Sequence, residues 1–352
     1  MQPIDANVVQ PVMRPTSSPT VSRRAPRLPL LALLLLGLPP PSPAEANDGQ
    51  PRADDQPLYA APTRPDRVGR MLAAVEVNGS GPYRFIIDLG ANRSVLSSRL
   101  ATSLGLATAG TGTVEVHGVT GSAVVPMAVV DELRVGTIVM VDQQLPVLAG
   151  AVFADADGIL GIDGLQQSRI EVDFRHDRVK IGLSDPRGAP HGYLTVPART
   201  INEGLLLVEG RVGNVRTHVI IDTGAEYTIG NVPLQQALLR GARKGDRRES
   251  VVTGATPGSA SGDTHATPSI TIGEARLRNI PVTFSDLYIF SLWGLADEPA
   301  LIVGMDVLGT VQKFVVDYGR REFQIKAYPR TGADVDRCLA GTCGTRLKGS
   351  PN

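Results

Sequence analysis

The chain has 352 residues, and its 35 basic and 35 acidic side chains cancel to a formal net charge of zero. That balance carries no electrostatic signature of nucleic-acid binding or of attachment to an anionic membrane. Aromatic residues are only 4% of the chain, so its cores must be mostly Val, Ile, Leu and Ala, which pack well on pleated strands.

At the N-terminus, Arg23, Arg24 and Arg27 precede an apolar run from Leu28 to Leu38, followed by Pro39-Pro40-Pro41 and Ala44-Glu45-Ala46. This is the anatomy of an export signal over residues 1–46. The run is too short to span a bilayer, so the expectation is an exported, periplasmic or secreted protein with no stable membrane insertion after signal removal. Residues 47–69 are rich in Pro, Asp, Arg and Ala without an apolar period, and read as a disordered linker.

From Met71 the pattern changes. Leu72 to Val77 predicts a strand, Asn78-Gly79 a hairpin turn, and Tyr83 to Ile87 the return strand, which ends in Asp88. A short helix is expected from Ser97 to Leu104, stopped at Gly105. Two strand-like runs, Val114 to His117 and Ser122 to Val125, flank Gly118-Val119-Thr120-Gly121 and form a candidate flap. Strand-like runs at Val129 to Val135 and Ile138 to Val141 follow. Then come Gly158-Ile159-Leu160-Gly161-Ile162-Asp163 and a closing pair, Ile170 to Phe174 and Val179 to Leu183.

The same order then recurs. Leu205 to Val212 and Val215 to Ile221 form a hairpin ending in Asp222, and a helix is expected from Pro233 to Leu239. The Gly/Ser/Thr-rich stretch Thr253 to Thr267, with Gly254, occupies the place of the first flap, and Gly258 to Gly262 within it reads as a flexible loop. Ser269 to Ile272 and Leu277 to Phe284 read as strands. Leu301-Ile302-Val303-Gly304-Met305-Asp306 matches Gly158 to Asp163, and Phe314 to Tyr318 with Glu322 to Ile325 match the closing pair. The pattern is an internal duplication. It predicts an all-β protein of two barrel lobes, residues 70–187 and 188–328, related by a pseudo-twofold axis and carrying only short helices.

The tail, 329–352, holds both cysteines, Cys338 and Cys343, spaced to close a small disulfide loop in an oxidising compartment. Two cysteines without a neighbouring histidine do not make a zinc site, and the five scattered histidines show no pairing. No metal and no cofactor are expected.

The repeated unit is an apolar strand, a carboxylate and a glycine turn: Phe85-Ile86-Ile87-Asp88-Leu89-Gly90-Ala91 and Val219-Ile220-Ile221-Asp222-Thr223-Gly224-Ala225. Two carboxyl groups brought together in an apolar setting do not both ionise easily; they titrate as a unit. The ionised member accepts a proton from water and the protonated member polarises a carbonyl. The glycine lets backbone approach the carboxylate where a Cβ would block it.

Asp222-Thr223-Gly224-Ala225 with Thr228, and the downstream Ile302-Val303-Gly304, resemble the two signatures of retropepsin-like aspartic proteases. Asp88-Leu89-Gly90-Ala91 with Ser94, and Ile159-Leu160-Gly161, resemble the same pair. The resemblance covers residues 70 to 327. It implies acid-protease barrels fused in one chain, a monomer with an internal pseudo-dimer, and a peptide or protein substrate. Asp88 and Asp222 are then the catalytic pair, supported by Gly90, Ala91, Ser94, Thr223, Gly224, Ala225 and Thr228. Flap residues are His117, Gly118, Gly121 and Gly254. Asp163 and Asp306 are expected to cap short helices. Leu89 departs from the family's Thr or Ser, whose hydroxyl crosses the lobe interface. Two readings follow: an aspartic endopeptidase, or a catalytically impaired peptide-binding pseudoprotease. A third arrangement pairs each lobe with another chain. Arg243, Lys244, Arg247 and Arg248 read as a solvated surface cluster, and Trp293 as lining a pocket or covering a core edge.

Overall fold

The computed structural model describes residues 59–62, 69–108, 110–184, 186–240 and 248–328. The export signal, most of the linker, Arg243, Lys244, Arg247 and the cysteine-bearing tail lie outside the described residues.

The segment read as a disordered linker contains β1 (Tyr59–Pro62). The first lobe then begins with the hairpin β2 (Leu72–Val77) and β3 (Ser80–Ile87). Asn78 and Gly79 turn it with φ of 50° and 72°, the paired left-handed conformation that a tight hairpin needs. β4 (Val95–Ser97) leads into α1 (Ser98–Ser103), whose N-cap Ser97 accepts the Leu100 N–H at 3.1 Å. The hairpin of β5 (Thr113–Gly118) and β6 (Gly121–Val135) turns into β7 (Ile138–Leu148), and β8 (Gly158–Leu160) follows. Hydrogen bonding runs β2-β3-β8-β4-β7-β6, and β6 returns to β2 through Glu76↔Arg134 and Val77↔Leu133, which closes a barrel. β9 (Ser168–Asp173) and β10 (Arg178–Leu183) end this half.

The second half repeats the plan with β11 (Leu194–Ile201), β12 (Leu205–Val212) and β13 (Val215–Ile221). β14 (Ile229–Gly230) and α2 (Val232–Leu239) follow, the helix capped by Asn231, whose side chain accepts the Leu234 N–H at 3.1 Å. Next come β15 (Arg248–Thr253) and β16 (Ser259–Ala266), then β17 (Ile270–Ile272), β18 (Ala275–Leu277) and β19 (Pro281–Phe284). The run Leu277 to Phe284 is thus not one strand: Asn279, with φ of 57°, interrupts it. α3 (Tyr288–Leu292), which the pattern did not predict, precedes β20 (Ala300–Val303), α4 (Met305–Leu308), β21 (Lys313–Asp317) and β22 (Glu322–Lys326).

The segment Gly258 to Gly262 is also not simply a loop, since β16 begins at Ser259 and pairs with β15 over six positions. The strand lacks apolar alternation because hydroxyls support it. Ser250 bonds Thr264 at 2.7 Å, and Thr264 bonds Thr283 at 2.7 Å. Cross-strand hydroxyl pairs of this kind stabilise a sheet without an apolar pattern.

Beneath both lobes runs one antiparallel sheet, β1-β10-β9-β21-β22-β11, with three strands from each half. The halves match position by position. Tyr59 to Pro62 pair with Ile181 to Arg178, as Leu194 to Pro197 pair with Ile325 to Glu322. β9 and β21 pair across the pseudo-axis, Glu171 opposite Val315. One apolar core extends from Val75, Phe85 and Ile87 through Ile170, Val172, Phe314 and Val316 to Val219 and Ile221. The lobes are therefore joined by continuous backbone pairing and a common core, not by a loose linker.

Candidate active site

β3 and β13 deliver the two aspartates. Alternation puts Phe85 and Ile87 in the common core and turns Ile86 into a second apolar cluster with Leu72, Val95, Phe153 and Ile159. In the other lobe Val219 and Ile221 face the common core, while Ile220 joins Leu207, Ile229, Phe290 and Ile302. The N–H of Asp88 then bonds the Leu160 carbonyl at 3.0 Å, and that of Asp222 bonds the Val303 carbonyl at 3.1 Å. Each carboxylate thus sits where its strand leaves the sheet.

The two loops meet. A Cβ placed on Gly90 would overlap the Asp222 carboxyl group, and one on Gly224 would overlap that of Asp88. Each glycine therefore lets its loop approach the opposite aspartate. Asp88 accepts the Gly90 N–H at 2.8 Å; Asp222 accepts those of Gly224 at 2.8 Å and Ala225 at 3.1 Å. The carboxyl groups also lie within hydrogen-bonding reach of each other. Burial raises Asp88 above the usual carboxylate range, opposed by the Gly90 N–H, the Asp222 side chain and the positive charge of Arg70. Burial and then the neighbouring Asp88 charge push Asp222 up to about 8.

The loops are tied across the interface from one side. Thr223 is fully buried; its hydroxyl donates to the Ile87 carbonyl at 2.7 Å and accepts the Leu89 N–H at 3.0 Å. Leu89 has no hydroxyl with which to return this pair of bonds and is buried in the common core instead.

Behind each loop is a matched clamp. The Ser94 hydroxyl donates to Asp163 at 2.7 Å and accepts the Gly161 N–H at 3.1 Å; the Ser94 N–H bonds Asp163 at 2.9 Å. Thr228 makes the same three bonds, to Asp306 at 2.7 Å, from Gly304 at 3.2 Å and through its N–H to Asp306 at 3.0 Å. The expected capping role of Asp163 and Asp306 is corrected here. Asp163 lies in a turn, and α4 is N-capped by Gly304 without a side-chain bond. Both carboxylates are committed to the hydroxyl residue of the opposite segment.

The hairpins β5–β6 and β15–β16 meet at their tips. Thr256 donates to the Gly121 carbonyl at 3.1 Å and stands 3.4 Å from the Thr120 hydroxyl. Gly118 lies against Thr256, and Gly254 against the Val119 side chain. Val119 packs on the second-lobe apolar cluster, and Ala255 on that of the first lobe. His117 stacks on Tyr288 with ring centroids 5.9 Å apart and meets its hydroxyl at 3.0 Å. The four residues singled out as flap candidates thus cluster where the two hairpins meet. Their partners Thr256 and Tyr288 were not legible: one lies in a low-complexity stretch, the other on the helix the pattern missed. Trp293 packs edge-on against Phe290 and reaches both the common core and the second-lobe cluster. Among the described residues no cluster of three His, Cys, Asp or Glu is placed to hold a metal.

Two pseudo-equivalent β lobes joined by a shared sheet, each presenting an aspartate at the junction, Asp222 buried and Asp88 partly buried, define an acid-protease fold. The chain matches the aspartyl protease family in two tandem regions, residues 73–163 and 208–307, together more than half its length. It belongs to that family. Each matched region encloses one aspartate loop and its second glycine signature. Comparison with curated proteins gives no match.

Proposed function

We propose that the protein is an exported aspartic endopeptidase in which Asp88 and Asp222 act as one catalytic unit. The mutual approach of Gly90 to Asp222 and of Gly224 to Asp88 carries this reading. In this proposal Asp88, the anion, takes a proton from a water molecule as its oxygen attacks the peptide carbonyl carbon. Asp222 gives its proton to the carbonyl oxygen, forming a neutral tetrahedral diol. In the collapse Asp88 gives the proton it took to the leaving nitrogen while Asp222 takes one from a diol hydroxyl, so the C–N bond breaks, a carboxylic acid and an amine leave, and the pair regains its starting protonation. The substrate lies extended between the dyad and the two hairpin tips, where its backbone pairs as an added strand.

Leu89 motivates a second reading, a peptide-binding pseudoprotease, because half of the cross-lobe hydroxyl bonding is absent. The two are separated by incubating the protein with an unfolded protein between pH 3 and 8, with and without a statine-type inhibitor. Hydrolysis abolished by the inhibitor supports the endopeptidase; inhibitor binding without turnover supports the pseudoprotease. Export rests on the signal anatomy of residues 1–46, and cell fractionation of the full chain against one lacking those residues tests it. Light scattering tests the internal pseudo-dimer: the mass of one chain is expected, and twice that mass contradicts it.

A further inference from the structure

Among the described residues, the two halves of the dyad differ in a charged neighbour, Arg70. Leu72 pairs with Ile86 as Leu207 pairs with Ile220, so Arg70 and Leu205 are equivalent positions. The chain next to Arg70 runs beside the catalytic strand, since the Ile87 N–H bonds the Met71 carbonyl at 2.9 Å. The Arg70 side chain is 7% exposed and donates to the Val152 carbonyl at 2.8 Å, against the apolar cluster that contains Ile86. Leu205, 3% exposed, offers no charge in the other lobe.

We propose that Arg70 is a positioning residue that breaks the symmetry of the pair, holding the negative charge on Asp88 and the shared proton on Asp222. A buried cation on one side favours the anion on that side, because little water screens it. The groups that face Asp88 are consistent with this. Asp222 and Arg70 stabilise its anion, while the Tyr318 hydroxyl, buried nearby, is itself held neutral by burial and then by the Asp88 charge. The charge that acts most strongly on Asp222 is that of Asp88, and it raises the group. The consequence is directional: water is activated from the first-lobe side and the carbonyl is protonated from the second.

This rests on the dyad acting as proposed above, but its test does not need turnover. The aspartate carboxyl carbons are titrated by NMR in the substrate-free protein, with Asp88→Asn and Asp222→Asn used for assignment. Asp88 is expected to ionise first. Arg70→Met should raise its midpoint by about one pH unit or more, the usual effect of removing a close opposite charge, and Arg70→Lys should restore it. In the active protein the acid limb of kcat/KM should move with it. Prior ionisation of Asp222 in the wild type, a measurement that needs no Arg70 variant, overturns the proposal. So does an unmoved Asp88 midpoint in folded Arg70→Met. Absence of hydrolysis with the titration order intact contradicts the protease reading alone.

Discussion

The two aspartate loops are close copies that differ most at one position. Their clamps, Ser94–Asp163 and Thr228–Asp306, reproduce the same three bonds within a tenth of an ångström or so. The loops in front of them do not. Thr223 reaches across the interface and bonds two backbone groups, while Leu89 turns into the core. The duplicated lobe therefore needs only one of two reciprocal ties to bring its aspartates together. Leu89 exchanges a polar tie for burial, which is worth about 1.5–3 kcal/mol for a leucine side chain, against about 1 kcal/mol for a typical hydrogen bond.

Breaking what is shared should hurt equally. Gly90→Ala and Gly224→Ala each drive a Cβ into the opposite carboxyl group. Each is expected to lower kcat by roughly 100-fold or more, since about 1 Å of misplacement has that effect. Steady-state kinetics with matched circular dichroism checks both, and a tolerant position on one side would show that the loops are not equivalently packed.

Breaking what is different should hurt unequally. Thr223→Val leaves the buried Leu89 N–H without its partner and is expected to destabilise by about 1–3 kcal/mol, with a fall in kcat. Leu89→Thr supplies the missing hydroxyl but gives up apolar burial, so its net stability change should be smaller than that of Thr223→Val. Urea unfolding resolves the two. A severe loss in Leu89→Thr with none in Thr223→Val would invert the comparison.

The clamps provide the control. Ser94→Ala and Thr228→Val should each destabilise by about 1–3 kcal/mol, the range for leaving a buried partner unsatisfied, and match each other more closely than the loop variants do. The smallest effect is expected at the hairpin tip. Tyr288→Phe removes one exposed bond to His117 and should raise KM a few-fold while changing stability by less than about 0.5 kcal/mol.

Protonation sharpens the same contrast. The Asp222 carboxyl is pushed up to about 8, above its unfolded value of 3.8. A raised carboxyl group contributes stability that is full below the unfolded value and is lost as pH rises through the folded one. The melting temperature should therefore fall between pH 4 and pH 8 in the wild type, and fall less in Asp222→Asn. Turnover should decline over the alkaline part of that range as Asp222 loses its proton.

Much of this architecture was legible in the sequence because duplication repeats its own evidence. Each aspartate came with an apolar strand before it, a glycine two residues after it and a second glycine signature downstream. The hairpin turn at Asn78-Gly79 follows from local chemistry, whereas the caps Ser97 and Asn231 emerged only with the structure. What escaped is what pairs without a local pattern. β1 is short and lies in a proline-rich segment; its place is set by β10, more than a hundred residues on. β16 is built from small polar residues whose hydroxyls do the work of apolar contacts. The capping role expected of Asp163 and Asp306 failed because their true partners, Ser94 and Thr228, are distant in sequence. Arg70 has no motif around it, and only the comparison with Leu205 makes it stand out.

The central claim is that one aspartate from each lobe forms a single reacting unit. The most direct measurement is cleavage of an unfolded protein by the wild type, Asp88→Asn, Asp222→Asn and the double variant. Groups that act as a unit are non-additive, so each single substitution should abolish turnover and the double should be no worse than either. Substantial turnover in either folded single variant, or a double variant showing the product of two partial losses, would contradict the account.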